Sequence, residues 1–228
     1  MAIYAISDLH LSKSVPSKSM EYFGDDWKDY ELLIDKNWRK TVKENDTVLI
    51  PGDISWGIDL NEAYEDFKYL NSLPGNKIIL KGNHDYYFST LTKMNQFLKE
   101  NNFNTIQVLN NNSFIIEGYN ICGFRGWGTT DDENVDDYKI YLRELNRLEL
   151  SLKSIKNNDA KNGIIVMTHF PPFRYEIKEY FKRFNVKICI YGHLHGEGHY
   201  MVKQGLIDGV EYKMVSSDYN NFNLVKIS

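Results

Sequence analysis

Asn76-Lys77-Ile78-Ile79-Leu80-Lys81-Gly82-Asn83-His84-Asp85 joins a short apolar run to a carboxamide, an imidazole and a carboxylate. The run at 78–80 is too short for a helix. Short continuous apolar runs suit strands covered on both faces. Working outward, the same pattern recurs. Residues 3–6 lead to Asp8 and His10, and residues 48–50 to Gly52 and Asp53. Residues 164–167 lead to Thr168 and His169, and residues 188–191 to Gly192, His193 and His195. A sixth run, 121–123, leads to Arg125 between glycines.

Helical periodicity fills the intervals. Residues 27–42 carry Tyr30, Leu33, Ile34, Trp38 and Val42 at spacings of three and four, and 60–73 repeat this with Ala63, Phe67 and Leu70. Residues 91–98 make a shorter pattern. Residues 135–155 make the longest, with Asn134 as its expected N-cap. The tail from 200 to 228, broken by Gly205, Gly209, Asn220 and Asn221, reads as consecutive antiparallel strands. Alternating strands and helices followed by hairpins predict an α/β layered domain spanning 1–228, with a mixed sheet or two sheets packed together.

The 228 residues suffice for one core. A formal charge of −4 argues against a basic nucleic-acid-binding surface. The carboxylates of 126–137 (Asp131, Asp132, Glu133, Asp136 and Asp137) would repel polyanions if they lie near the site, and otherwise form a solvated connection. No signal-peptide pattern opens the chain and no apolar run reaches bilayer length. Cys122 and Cys189 make no disulfide framework and read as buried thiols in a reducing, cytoplasmic setting.

Five of the six histidines (His10, His84, His169, His193 and His195) sit at strand ends, beside Asp8, Asp53 and Asn83. Ligands bind at the carboxyl ends of strands in open α/β sheets. Buried imidazoles and carboxylates without partners would be costly, and metal binding satisfies them together. In Asp8-x-His10 and His193-x-His195 the period of an extended chain would set both side chains on one face. Oxygen and imidazole donors suit manganese, with iron and zinc as alternatives, and no thiolate converges on them. So many groups exceed the needs of one ion, so two divalent ions sharing a carboxylate are expected, as in phosphatases and nucleases.

Taken in order, these five motifs, from Asp8 to His195, resemble those of the calcineurin-like metallophosphoesterases. The stretch from Gly52 to Trp56 is similar to that of a bacterial subgroup of predicted phosphohydrolases. The resemblance implies a four-layer α/β/β/α sandwich with two packed mixed β-sheets. It also implies that Asp8, His10 and His195 hold one metal and that Asn83, His169 and His193 hold the other. Asp53 would bridge them, and His84 would stand beside them, oriented by Asp85. The expected reaction is hydrolysis of a phosphate mono- or diester of small or medium size. Attack would come from a hydroxide between the metals, with His84 as general acid. Asn83 and His84 would also contact the substrate phosphate. Arg125 offers a guanidinium clamp or a surface ion pair. Tyr86 and Tyr87 either face the cleft or pack. His199 is expected not to ligate. Tyr22, Phe23 and Trp27 are expected to pack, although 11–46 are numerous enough to overhang the site. Pro171 and Pro172 would shape the turn that presents His169. A nuclease, a protein phosphatase and a non-catalytic scaffold of the same fold are the competing readings. No segment suggests a membrane or a protein partner.

Overall fold

A computed structural model describes residues 1–128, 135–156 and 160–228. In chain order the strands and helices are β1 (Ile3–Ala5), α1 (Tyr30–Thr41), β2 (Thr47–Ile50), α2 (Tyr64–Ser72), β3 (Asn76–Ile79), α3 (Leu91–Glu100), β4 (Ile106–Val108), β5 (Phe114–Ile116) and β6 (Tyr119–Phe124). They continue with α4 (Val135–Lys153), β7 (Gly163–Thr168), α5 (Tyr175–Arg183), β8 (Val186–Tyr191), β9 (Gly205–Ile207), β10 (Val210–Met214) and β11 (Val225–Lys226). Two mixed sheets result, ordered β11-β1-β2-β3-β4 and β5-β6-β7-β8-β10-β9.

Register explains the layering. In the first sheet Ala5 pairs with Leu49, and Leu49 with Ile78. In the second, Ile121 pairs with Ile165, and Ile165 with Ile188. These two rows belong to one buried cluster between the sheets. Because side chains alternate, their neighbours point outward. Val48, Ile50 and Ile79 meet Ile34, Trp38, Phe67, Leu70 and Met94 from α1, α2 and α3. Cys122, Val166 and Cys189 form one row that meets Tyr141, Leu148, Ile177 and Phe181 from α4 and α5. Helices, sheet, sheet and helices therefore stack in four layers, as the resemblance implied. Each fully buried aliphatic side chain contributes about 1.5–3 kcal/mol, so truncating Ile165 to Ala would cost about 2–5 kcal/mol. The two thiols are buried and free, with Val166 between them.

Several expectations are corrected. The first helix begins at Tyr30 rather than Trp27, because Asp29 has a left-handed backbone (φ 55°) and Asp25–Trp27 form a short 3₁₀ turn. Helix α2 starts at Tyr64 rather than Leu60. Leu33, Tyr138 and Leu142 are exposed rather than on the buried stripes, and Tyr22 and Phe23 are exposed rather than packed, while Trp27 is buried as expected. Helix α5 and strands β4 and β5 had no clear signal; each strand is only three residues long. The tail is not a set of consecutive antiparallel strands. β9 and β10 form a hairpin, but β10 runs parallel to β8, and β11 crosses to pair with β1 in the other sheet. Asp131, Asp132, Glu133 and Asn134 lie outside the described residues, while Asp136 and Asp137 open the first turn of α4.

Strands β1, β2 and β3 run parallel, as do β6, β7, β8 and β10. Within each sheet their carboxyl ends therefore share one edge. The edges meet at a parallel bridge between Ser7 and Ser216, where the Ser7 N–H donates to Val215 and the Ser217 N–H to Ser7.

Candidate metal centre

Buried polar side chains gather at that shared edge. Asp8, His10, Asp53, Asp85 and His169 are all essentially inaccessible to solvent. Asp8, His10, Asp53 and His193 have positive φ angles of 58°, 44°, 52° and 73°. Non-glycine residues adopt this conformation at a cost, and such strain concentrates at functional sites. The period-two argument for Asp8 with His10, and for His193 with His195, is therefore corrected. These residues lie on turns beyond the strand ends and not on extended chain.

Among the described residues, two groups each bring their ligand atoms within 4.8 Å of one another: Asp8, His10 and His195, and Asp8, Asp53 and His169. Nε2 of His195 is 3.4 Å from Oδ1 of Asp8. Nε2 of His10 is 3.8 Å from Oδ2 of Asp53. Nε2 of His169 is 3.4 Å from the same Asp53 oxygen and 2.6 Å from Oδ1 of Asn83. The ring of His193 lies 5.0 Å from that of His169, centroid to centroid, and its backbone N–H donates to Asp8. His193 stands outside both three-residue groups.

The turns are held in place by further residues. The hydroxyls of Ser7 and Ser216 donate to Oδ2 of Asp8 at 2.5 and 2.7 Å, leaving Oδ1 toward the histidines. Two glycines pack directly against the site carboxylates. A Cβ on Gly82 would collide with Oδ1 of Asp53, and one on Gly192 with Ser7 Oγ and Asp8 Oδ2. Asp85 plays a different part from the expected one. Its carboxylate accepts from the backbone N–H groups of Asp53 (2.8 Å), Ile54 (2.8 Å) and Gly82 (2.7 Å) and from the Tyr87 hydroxyl (2.9 Å). Nδ1 of His84 has no hydrogen-bond partner. Asp85 thus clamps the β2 and β3 turns together and does not hold the His84 ring. Tyr87 packs, and Tyr86 is exposed.

Electrostatics follow the burial. Desolvation lowers His169 to about 4 and His193 to about 3, so both are neutral near pH 7, the form that binds metal. Desolvation also lowers His10 and His84, the latter against the opposing charge of Asp85. Asp53 is raised by burial and by the charges of Asp85 and Asp8. His195 is the exception. Burial would lower it, but Asp8 and Asp218 outweigh burial and raise it to about 10. Carboxylate oxygens and imidazole nitrogens therefore converge in one buried cradle. Nε2 of His195 is buried, close to Asp8, and without a hydrogen-bond partner. An orphaned donor atom among carboxylate oxygens fits a divalent cation.

Sequence reasoning missed Asp218 and gave Trp56 and Trp27 no contact with the site histidines. Asp218 accepts from Nδ1 of His195 at 2.9 Å, and Nε2 of His199 lies 3.2 Å from its other oxygen. The signal was present, since Ser216 and Asp218 follow β10 just as the other site residues follow their strands. Trp56 stacks on His10 (4.8 Å between centroids) and tilts against His84 (4.7 Å). Trp27 meets His10 and His195 edge-on at 6.0 and 5.5 Å, so part of 11–46 does pack over the site. His199 touches Asp218 and belongs to neither ligand group. Arg125 is held away from a free clamp role: its guanidinium is 3.5 Å from Glu144 and lies over the Trp127 ring.

A sequence model of the calcineurin-like phosphoesterases matches residues 1–197. The Gene 66 protein of Mycobacterium phage L5 is 33% identical over 81 residues, 35% of this chain and 37% of that one. The match thus spans little more than a third of that relative. A protein of unknown function from Aquifex aeolicus superposes with a TM-score of 0.54 at 18% identity, covering 99% of this chain and 95% of that chain. A second solved structure has a TM-score of 0.53 at 14% identity, covering 92% and 88%. At these identities the two structures speak to the fold. Among the described residues no helix is long and apolar enough to cross a membrane.

Proposed function

The chain belongs to the calcineurin-like phosphoesterases, a family of metal-dependent hydrolases, and from that premise we propose that it hydrolyses phosphate mono- or diesters at a two-metal site. The observation that carries the reading is the convergence of Asp8, His10, Asp53, His169 and His195 from separate strand ends, with the orphaned Nε2 of His195 among them. Asp8, His10 and His195 would hold one ion. Asn83, His169 and His193 would hold the other, with Asp53 between. When bound, two divalent ions supply an acidified water and offset the charge on the phosphate. Manganese is the first ion to test, with iron and zinc behind it.

The side chains do the rest. Asn83 keeps the amide it does not share with His169 available to a phosphate oxygen. His84 stands at the rim, 5.7 Å from the His10 ring, with a nitrogen not engaged elsewhere. In this reading a bond forms from water oxygen to phosphorus, the water's proton passes to the neutral His84 ring, the ester bond breaks, and His84 delivers that proton to the departing alkoxide. Trp56 and Trp27 exclude water around His10. Two buried free thiols fit a reducing compartment, the cytoplasm.

The test is to strip the protein, reload it with Mn²⁺ and compare p-nitrophenyl phosphate with bis-p-nitrophenyl phosphate. The reading expects metal-dependent turnover of at least one ester, lost in Asp53→Asn. Failure to bind any divalent ion would overturn it.

A further inference from the structure

A cleft of about 400 Å³ lies beside the metal centre, lined by Ser17, Lys18, Ser19, Tyr22, Phe23, Trp56 and Tyr86. This is a size typical of small-molecule pockets. We propose that the cleft is the leaving-group subsite of the phosphoesterase and takes a planar heteroaromatic ring, as in a mononucleotide. The inference rests on the phosphoesterase reading for the reaction, but not for the binding.

Three observations carry it. First, every apolar side chain lining the cleft is aromatic. An alkyl chain would as readily be met by aliphatic side chains, whereas aromatic walls favour a flat π-system. Second, Tyr22, Phe23 and Tyr86 are 77%, 70% and 61% exposed, although they are large aromatics. They come from two separate segments, the 3₁₀ turn Met20–Phe23 and the turn after β3, and line one cavity between them. Exposed aromatics gathered on one concavity mark a binding site. Third, the cleft is continuous with the chemistry. Trp56 and Tyr86, which line it, also contact the His84 ring, at 4.7 and 6.2 Å between centroids. His84 therefore stands between the metal ligands and the cleft, where the bond to the leaving alcohol would break. Ser17, Lys18 and Ser19 line the cleft beside the aromatics, and the Lys18 ammonium donates to the Trp56 carbonyl at 3.1 Å, which ties this segment to the Trp56 wall. The acidic net charge, −4, favours a mononucleotide over a nucleic acid strand.

The test has two arms. In the first, adenosine is titrated into the metal-free protein while tryptophan fluorescence is followed, with ribose as the control. The expected result is saturable binding of adenosine and none of ribose, weakened about tenfold to a hundredfold in Tyr22→Ala and in Phe23→Ala, as for loss of one stacked ring. Both side chains are exposed, so these variants should fold. No adenosine binding, or binding that both variants retain in full, overturns the proposal. In the second arm, the Mn²⁺-loaded protein is offered adenosine 5′-monophosphate and ribose 5-phosphate, which share a leaving alkoxide and differ only in the base. A higher kcat/KM for the nucleotide that falls toward parity in the two variants supports the subsite. Equal kcat/KM in the parent protein overturns it. Binding of adenosine with neither ester turned over supports the subsite and counts against phosphomonoester hydrolysis instead.

Discussion

The carboxylate of Asp218 accepts a hydrogen bond from Nδ1 of His195 at 2.9 Å, while Nε2 of the same ring faces Oδ1 of Asp8 at 3.4 Å. One imidazole is thus held between a residue after β10 and a residue after β1. The first contact fixes which nitrogen is free for a metal, because a donor at Nδ1 leaves the Nε2 lone pair available.

Asp218→Asn should therefore weaken metal binding by about 10–100-fold without abolishing the fold. The amide can offer its nitrogen where the carboxylate accepted, and the ring then loses its preferred tautomer. Competition with a calibrated chelator checks this, and affinity equal to the parent's would refute it.

His84 and Asp85 are neighbours in sequence, yet their substitutions should differ in kind. His84→Ala should keep both ions and lose about 10²–10⁴-fold in turnover, as for removal of a general acid. Asp85→Ala should unfold the site. It strands the N–H groups of Asp53, Ile54 and Gly82, each buried donor costing about 1–3 kcal/mol. Thermal denaturation and metal stoichiometry, measured on the same two proteins, separate these outcomes. A stable Asp85→Ala protein with two bound ions would contradict the clamp.

Gly192→Ala should be among the most damaging single-methyl changes. The added Cβ meets Ser7 Oγ and Asp8 Oδ2, so either the serine–aspartate pair moves or the turn does. A loss of several kcal/mol is expected, as for other overpacked sites, together with weaker metal binding. Denaturant unfolding gives the first quantity and isothermal titration the second. Gly198→Ala is the control, since a Cβ there makes only ordinary contacts of 3.5 Å or more.

Asp66 sets a pH dependence away from the metals. It is fully buried, accepts from the Ser55 hydroxyl and the Lys13 N–H, and is raised by burial from the ordinary 3.8 to about 6. The folded chain therefore holds this proton more tightly than the unfolded chain does. Its contribution to stability falls as pH rises from about 4 to about 6 and is flat above that window. The total is on the order of 3 kcal/mol. Asp66→Asn should remove that slope, so that its stability relative to the parent improves between pH 4 and pH 6.5. Parallel urea titrations across this range check the sign, and a relative stability that declines instead would disprove it.

The sequence by itself determined the strand ends and what stands on them. Apolar runs of three to six residues followed by Gly, Asp, Asn or His are local signals, because strand burial and turn chemistry are both written in adjacent residues. That Asp8, His10, Asp53, Asn83, His169, His193 and His195 follow buried strands was legible for that reason, as were the alternation of strands with helices and the helix Val135–Lys153. Tertiary structure alone decided what the side chains face. That Asp85 clamps two turns rather than His84 depends on β2 lying beside β3. That Arg125 is paired with Glu144 depends on α4 packing over β6. Asp218 joins the site because β10 lies parallel to β8, a pairing between segments whose connecting stretch reads as hairpins. The aromatic cleft exists only where the turn at Met20–Phe23 meets Trp56 and Tyr86. Such long-range contacts are set by the pairing and packing of whole elements, and no periodicity within one segment encodes them.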